Sequence, residues 1–293
     1  MNGLAGRFFV CVSVMVAGVP SCRGPDAGSA PQHESAVATA KTSPVRASSP
    51  RRSAGTVDPA VVKFVGGGKA FVISRSATGR PPGDALAYVK SLEAKSRAGD
   101  ATATFEAFLA VHECRSAMDP GSMRVLSAMR KAGAERAYLD SMDKRLKECE
   151  SLLSDQAITD GKWLETAAKQ GSVEAMLLYA ASPETVLGNQ TNYLKNPQAV
   201  ADWKMNSMGY LQSAAGMGSV DAMLALGKAF SAGVLVEKDP VMGLAYYQAA
   251  GRMYPNELST ALIRSSQNDL TAAQQQSARR SAEEIIRNCC TKL

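Results

Sequence analysis

The residues in this chain that could do chemistry are its six cysteines and two histidines. A cysteine can carry a lipid, form a disulfide, bind a metal or act as a nucleophile, and a histidine can act as a base or a ligand. The histidines are His33 and His112, and the cysteines fall into an N-terminal group and a later group: Cys11 and Cys22, then Cys114, Cys149, Cys289 and Cys290.

Residues 1–22 have the pattern of an export signal. Arg7 is followed by an apolar run from Phe8 to Val19, which is shorter than the about 20 residues that a membrane span needs. This arrangement predicts a secretory signal peptide. The next residues end at Cys22 and resemble the lipobox of bacterial lipoproteins, although Pro20 departs from its usual pattern. The resemblance implies lipidation of Cys22, and ordinary signal cleavage nearby is the alternative.

Residues 23–57 are predicted to be a linker. They contain few large apolar side chains, so they cannot bury enough surface to offset the entropy of ordering. Arg23 stands where an aspartate would retain a lipoprotein at the inner membrane. The resemblance therefore implies an outer-membrane lipoprotein that faces the periplasm on a tether, with a soluble periplasmic or secreted protein as the alternative.

The four later cysteines are an even number in an exported chain, and this predicts disulfides. Four cysteines allow three pairings. We favour Cys114 with Cys149, because each lies on a helical pattern and a Pro120-Gly121 break separates the two. Antiparallel helices can bring such Cα atoms within the roughly 6 Å that a bridge requires. Cys289 and Cys290 are adjacent, and a labile bridge, an intermolecular contact and two free thiols all remain open.

The other titratable residues do not indicate an enzyme. His112, Glu113 and Cys114 are consecutive on a predicted helix, so their side chains point in different directions and do not converge on a metal. Neither a nucleophile elbow nor a phosphate-binding loop is present, because Gly68-Lys69 lacks the remaining glycine spacing. We predict no catalytic residue, no metal and no cofactor.

Composition indicates a helical protein. The chain has a net charge of +6, with only 6% aromatic residues, and no stretch combines basic residues with stacking aromatics, so we expect no nucleic-acid partner.

The sequence of residues 58–83 predicts either a small hairpin around a glycine turn or an irregular segment. Residues 84–159 carry helical patterns, and residues 183–195 are expected to be an unusually long loop.

The elements that would position any site belong to a repeat. The same five-residue pattern occurs twice at an interval of 47 residues, which is within the range of helical repeat arrays. The two copies are Trp163, Ala167, Ala168, Gly171 and Ala175, then Tyr210, Ala214, Ala215, Gly218 and Ala222.

These repeat residues have packing roles. The aromatic residue and the alanines face inward, and the glycine provides a left-handed backbone at the helix end. Ala175 and Ala222 lie where the second helix crosses the first, with Leu226 one turn further along. One helix pair cannot cover its own apolar face, so the pairs must stack.

The segment from Tyr210 to Phe230, with Asp239-Pro240 and the Tyr246–Ala250 stretch, resembles a Sel1-like repeat, a relative of the tetratricopeptide repeat. The resemblance implies an all-α fold, an α/α solenoid of helix-turn-helix repeats over residues 160–270, closed by a capping helix at 271–293. It also implies protein–protein contact and transfers no catalytic residue.

The sequence therefore predicts a lipid-anchored scaffold that holds an unknown protein or peptide in its concave face. Of Tyr246 and Tyr247, one is expected in the core and the other as an exposed interface anchor. The alternatives are a structural or self-associating envelope protein, and a cell-wall enzyme or inhibitor with an unrecognised site.

Overall fold

The computed structural model describes residues 57, 59–66, 68–75, 79–117 and 122–290. The predicted signal peptide, Cys22 and the linker up to residue 56 lie outside these ranges.

Fourteen α-helices make up most of the described chain. The first seven are α1 Ala85–Arg97, α2 Ala101–Ala117, α3 Ser122–Lys131, α4 Glu135–Ser154, α5 Gln156–Thr159, α6 Trp163–Gln170 and α7 Val173–Ala181. The other seven are α8 Pro183–Leu187, α9 Gln190–Lys195, α10 Pro197–Gly216, α11 Val220–Ala232, α12 Pro240–Met253, α13 Glu257–Gln267 and α14 Ala272–Cys289.

The helices form a stack of hairpins, and the predicted all-α solenoid is confirmed. Helices α1 and α2, α6 and α7, α10 and α11, and α12 and α13 pack in pairs. Neighbouring pairs contact each other through α2 and α6, α7 and α10, and α11 and α12, while α14 closes the stack against α12. Each pair thereby covers the apolar face of the next.

Helices α3 and α4 depart from this regular order. Helix α3 packs on α4, and α4 packs on the first pair, α1 and α2. A second cluster of buried residues joins α1, α2 and α4 and contains Val89, Cys114, Cys149 and Leu152. The larger core lies between α6, α7, α10 and α11 and includes Leu226.

Residues 59–73 begin with a 3-10 turn, Pro59–Val61, and continue as two antiparallel strands, β1 Val62–Phe64 and β2 Phe71–Ile73. Of the two sequence alternatives, the structure therefore has the hairpin.

The long loop expected at residues 183–195 is wrong. The segment folds as the short helices α8 and α9. Pro183 occupies the first turn of α8, where its missing N–H costs nothing. Gly188 ends α8 with φ +82°, and the chain can turn there into α9 because glycine tolerates this conformation.

Helix starts follow the residues that the sequence offers as caps. The side chains of Asn196 and Asp239 accept N–H groups in the first turns of α10 and α12, and a proline follows each. Thr271 and Gln274 form a capping box at α14. None of the helices described here combines the length and the apolar character needed to cross a bilayer.

Candidate functional site

The structure joins Cys114 to Cys149 in a disulfide, with the two Cα atoms 5.4 Å apart. Both cysteines are completely buried. The bridge ties α4, and with it α3, to the first helix pair.

Cys289 and Cys290 are bonded to each other in a second disulfide. The carbonyl of Cys290 also accepts the N–H of Lys69, at 3.2 Å. The end of α14 is therefore held beside the turn of the strand hairpin.

Most of the repeat residues are buried. Trp163 is half-buried and donates its indole N–H to the carbonyl of Ile158, at 2.8 Å. The others are at most 5% exposed, and they are Ala168, Ala175, Tyr210, Ala215, Ala222 and Leu226.

The two bends of the repeat have the same backbone. Gly171 and Gly218 have φ of +109° and +102°. The serine after each glycine accepts the N–H three residues ahead, from Ala175 in one bend and Ala222 in the other, both at 3.2 Å. The 47-residue interval is thus an interval between equivalent helix caps.

The second bend is covered by the segment of residues 59–75, which we call the strap. Phe71 donates its N–H to the carbonyl of Gly218 at 3.0 Å and forms a parallel bridge with Ser219. Its side chain is 1% exposed within the main core. The strap is therefore part of the packed array.

Arg75, at the end of the strap, is bound by two carboxylates. Its guanidinium contacts both oxygens of Glu174 on α7, at 2.6 and 2.9 Å, and one oxygen of Glu106 on α2, at 2.7 Å. Hydrogen bonding to Glu174 is the largest of the effects that hold the pKa of Arg75 above its ordinary value. Arg75 also lies 5.7 Å from the ring centroid of Phe105. The strap is thereby attached to two further helices.

Asp221 is a third attachment point, because its carboxylate accepts the N–H of Ile73 at 2.7 Å. Burial raises the pKa of Asp221 above its ordinary 3.8, and the hydrogen bond from Ile73 only partly opposes this. Asp221 and Glu174 follow the capping serines by two residues at the same 47-residue interval. Sequence reasoning missed both acids, although this interval was the signal that could have found them.

An apolar groove of about 340 Å³ runs between α7, α10 and α11. We call it the α7–α11 groove. Its floor includes Trp203, whose indole N–H is already bonded to the carbonyl of Tyr179 at 2.9 Å. Val234, at the rim, is 56% exposed. The groove is therefore open to solvent at this end.

The α11 wall of the groove consists of small residues and one cation. Ala225, Lys228, Ala229 and Ala232 share one face of the helix. No larger side chain fills the space between this face and Leu177 of α7. Lys228 is the only charged residue in the lining and, among the described residues, has no hydrogen-bond or ion-pair partner. The groove thus combines apolar walls with one free ammonium group.

The two tyrosines proposed as partner-binding residues lie elsewhere. Tyr247 is 4% exposed and packs over Gly227, while Tyr246 is half-buried and stacks on Phe230 with ring centroids 5.7 Å apart. Burial raises the pKa of both phenols. Neither residue lines the α7–α11 groove.

Over the described ranges, histidine, cysteine, aspartate and glutamate side chains form no group of three or more suited to a metal ion. His112 is exposed and stacks on Phe108, with ring centroids 5.5 Å apart.

Comparison with known proteins gives a distant similarity to a solved structure. No protein-family model matches the chain, and no curated protein matches it significantly. The chain is similar to the crystal structure of c5321, a protective antigen present in uropathogenic Escherichia coli strains that displays an SLR fold. The two are 19% identical, with a TM-score of 0.29, over 69% of this chain and 48% of that one. The chain therefore matches about half the length of that protein, and at this TM-score the fold assignment rests on the helices described above.

Proposed function

We propose that this chain is a Sel1-like repeat protein that binds a partner protein in the α7–α11 groove. The observation that carries the proposal is an open apolar groove of about 340 Å³. Its size is within the range of binding pockets. Apolar pockets of this kind bind the few anchor side chains that dominate the affinity of protein interfaces.

The proposed site lies away from Tyr246 and Tyr247, which the sequence suggested as a possible partner-binding pair. In the groove, the alanines of α11 leave room beside α7 for side chains of another molecule. A non-catalytic role agrees with this lining, which offers one lysine and no group positioned to activate a nucleophile.

The second part of the proposal is the location. The sequence from Val19 to Cys22, the absence of aspartate at Arg23 and the polar linker support a lipid anchor in the outer membrane, with the array facing the periplasm. Cys22→Ser is expected to abolish the incorporation of a labelled fatty acid, because the serine hydroxyl does not replace the thiol as the lipidated group. Equal labelling of the variant, or no labelling of the wild type, would contradict lipidation.

Self-association through the last helix has less support. It would need an apolar patch on α14, but none of the large exposed apolar residues in the described chain lies on that helix. Leu258 of α13, which is 60% exposed, instead offers a control position outside the groove.

The groove can be tested by site-specific photocrosslinking in cells. A photoreactive amino acid replaces Val234 at the rim in one variant and Leu258 in the other, because both are exposed apolar residues, at 56% and 60%. We expect a discrete crosslinked species from position 234 alone. Adding Ala232→Trp should remove it, because Ala232 is an exposed lining residue and an indole there fills the groove.

Two results would contradict the proposal. Equal crosslinking from both positions would show no preference for the groove, and crosslinking that survives Ala232→Trp would place the partner elsewhere. A crosslinked species with the mass of two copies of this chain would identify the partner as a second copy.

A further inference from the structure

We infer that the partner segment is an amphipathic α-helix that carries a carboxylate facing Lys228. The inference rests on the proposed function, since it names the kind of segment that the α7–α11 groove accepts. It follows from the one charged side chain in the lining of the groove and from the lack of other polar side chains there.

The side chains of the groove offer very little to the backbone of a bound peptide. Its side chains are aliphatic or aromatic apart from Lys228. The one N–H of its aromatic floor, on Trp203, is already bonded to Tyr179. An extended peptide would bring an unpaired N–H and C=O with every buried residue, and each unpaired group costs about 1–3 kcal/mol.

A helix avoids this cost because its backbone groups bond to one another. Only its side chains then need to match the apolar walls. The small residues Ala225, Ala229 and Ala232 lie along one face of α11, and a wall of alanines lets a second helix approach closely. Leu177, Trp203 and Leu235 surround this face with larger apolar contacts. The walls therefore suit a stripe of apolar anchors at i, i+3 or i+4, and i+7.

The charge of the bound helix follows from Lys228. This residue lies one turn from Ala225 and Ala232 on the same face of α11, is exposed, and has no ionic partner among the described residues. An acidic residue beside the apolar anchors would meet the ammonium group at the groove, whereas a basic residue would be repelled.

The inference can be tested with a displayed library of random peptides about four helical turns long. Binders are selected on the wild-type protein and counter-selected on the Ala232→Trp variant, so that only groove-dependent peptides remain. We expect apolar residues with helical spacing and an enriched Asp or Glu at one flanking position. Circular dichroism should show that the bound peptide gains helicity.

A charge exchange then tests the contact with Lys228. Lys228→Gln should weaken an acidic peptide about 1.5-fold to 5-fold, the range for one exposed ion pair. Lys228→Glu should prefer the same peptide with its acid replaced by lysine. Fluorescence anisotropy of labelled peptides measures both effects, and the reference is the same peptide carrying glutamine.

The outcomes separate the inference from the proposed function. Groove-dependent binders with alternating apolar residues, or without an acid that responds to Lys228, would overturn the inference and leave the groove as a protein-binding site. A selection that returns no groove-dependent binder at all would overturn both.

Discussion

The two bends of the repeat have the same local structure but different surroundings. Gly171 and Gly218 share a left-handed backbone, and the serine after each caps the next helix at the same distance. Among the described residues, the first bend is hydrogen-bonded to the strap through the side chain of Glu174. The second bend accepts two backbone N–H groups of the strap, at the carbonyl of Gly218 and at the carboxylate of Asp221.

This difference shows which features a repeated sequence encodes by itself and which depend on contacts with the rest of the chain. The cap depends on four neighbouring residues and recurs wherever they recur. The strap contacts join residues that are 99 and 148 positions apart, and they make two equivalent bends unequal. Each prediction below tests either the local structure that the two bends share or the contacts that the strap makes.

Removing the strap's main anchor should have the largest effect. Phe71→Ala deletes a side chain that is 1% exposed over the second bend, and we expect a loss of about 3–5 kcal/mol in the free energy of unfolding. Phe64→Ala is the matched control, because Phe64 is 60% exposed on the same hairpin. Chemical denaturation should show a much smaller loss for the control. Equal losses would mean that the strap is not packed into the core.

The glycine of the second bend should tolerate alanine less well than a glycine with open space around it. Gly218→Ala and Gly99→Ala both place a side chain in the left-handed region, which costs about 1–2 kcal/mol. In Gly218→Ala the new Cβ would also lie 2.6 Å from the carbonyl oxygen of Lys69, which forces the strap to move. In Gly99→Ala no atom of the described chain outside the adjacent residues lies within 4 Å of the new Cβ. The melting temperature should therefore fall further for Gly218→Ala, and the same decrease in both would contradict the placement of the strap.

The capping serines should respond equally. Ser172→Ala and Ser219→Ala each remove one side-chain acceptor from the first turn of a helix, which costs about 1 kcal/mol. Neither hydroxyl is used by the strap. Urea titrations should thus show that the two variants lose the same free energy of unfolding to within about 0.5 kcal/mol. A larger difference would show that the caps are not equivalent.

The smallest expected effect is the pH dependence of Asp221. Because burial raises its pKa above 3.8, the folded state holds this proton more tightly than the unfolded state does. Its contribution to stability therefore falls as the pH rises between the two pKa values. Asp221→Asn keeps an acceptor for Ile73 and does not titrate. Wild type should lose stability relative to the variant across that interval, and parallel stability–pH curves would contradict the raised pKa.

Much of the array could be predicted from the sequence, because its signals are local and periodic. Prolines after Asn196 and Asp239 indicate helix starts, and the glycines at 171 and 218 indicate helix ends. The segment at 183–195 resembles a loop in the sequence because Pro183 and Gly188 are typical of chain breaks, whereas in the structure they begin and end a short helix.

The candidate site could not be predicted in the same way. Alanine is the residue expected where two helices pack closely, so Ala225, Ala229 and Ala232 carry no sign that they face open space. Only the arrangement of α7 beside α11 turns this small-residue face into a groove. The contact between Arg75 and Glu174 could not be predicted either, because a single arginine belongs to no periodic pattern in the sequence.

The strap limits how this protein can evolve in length. A repeat array ordinarily grows or shrinks by whole hairpins. Here Phe71 is fixed to the α10–α11 bend and Arg75 to α2 and α7, and the four residues from one to the other reach about 14 Å at most. An extra hairpin between α7 and α10 would add two helices, each about 10 Å wide, and one attachment would be lost. The length of the strap therefore fixes the number of hairpins between its two attachments. Duplications of a hairpin are confined to the rest of the array.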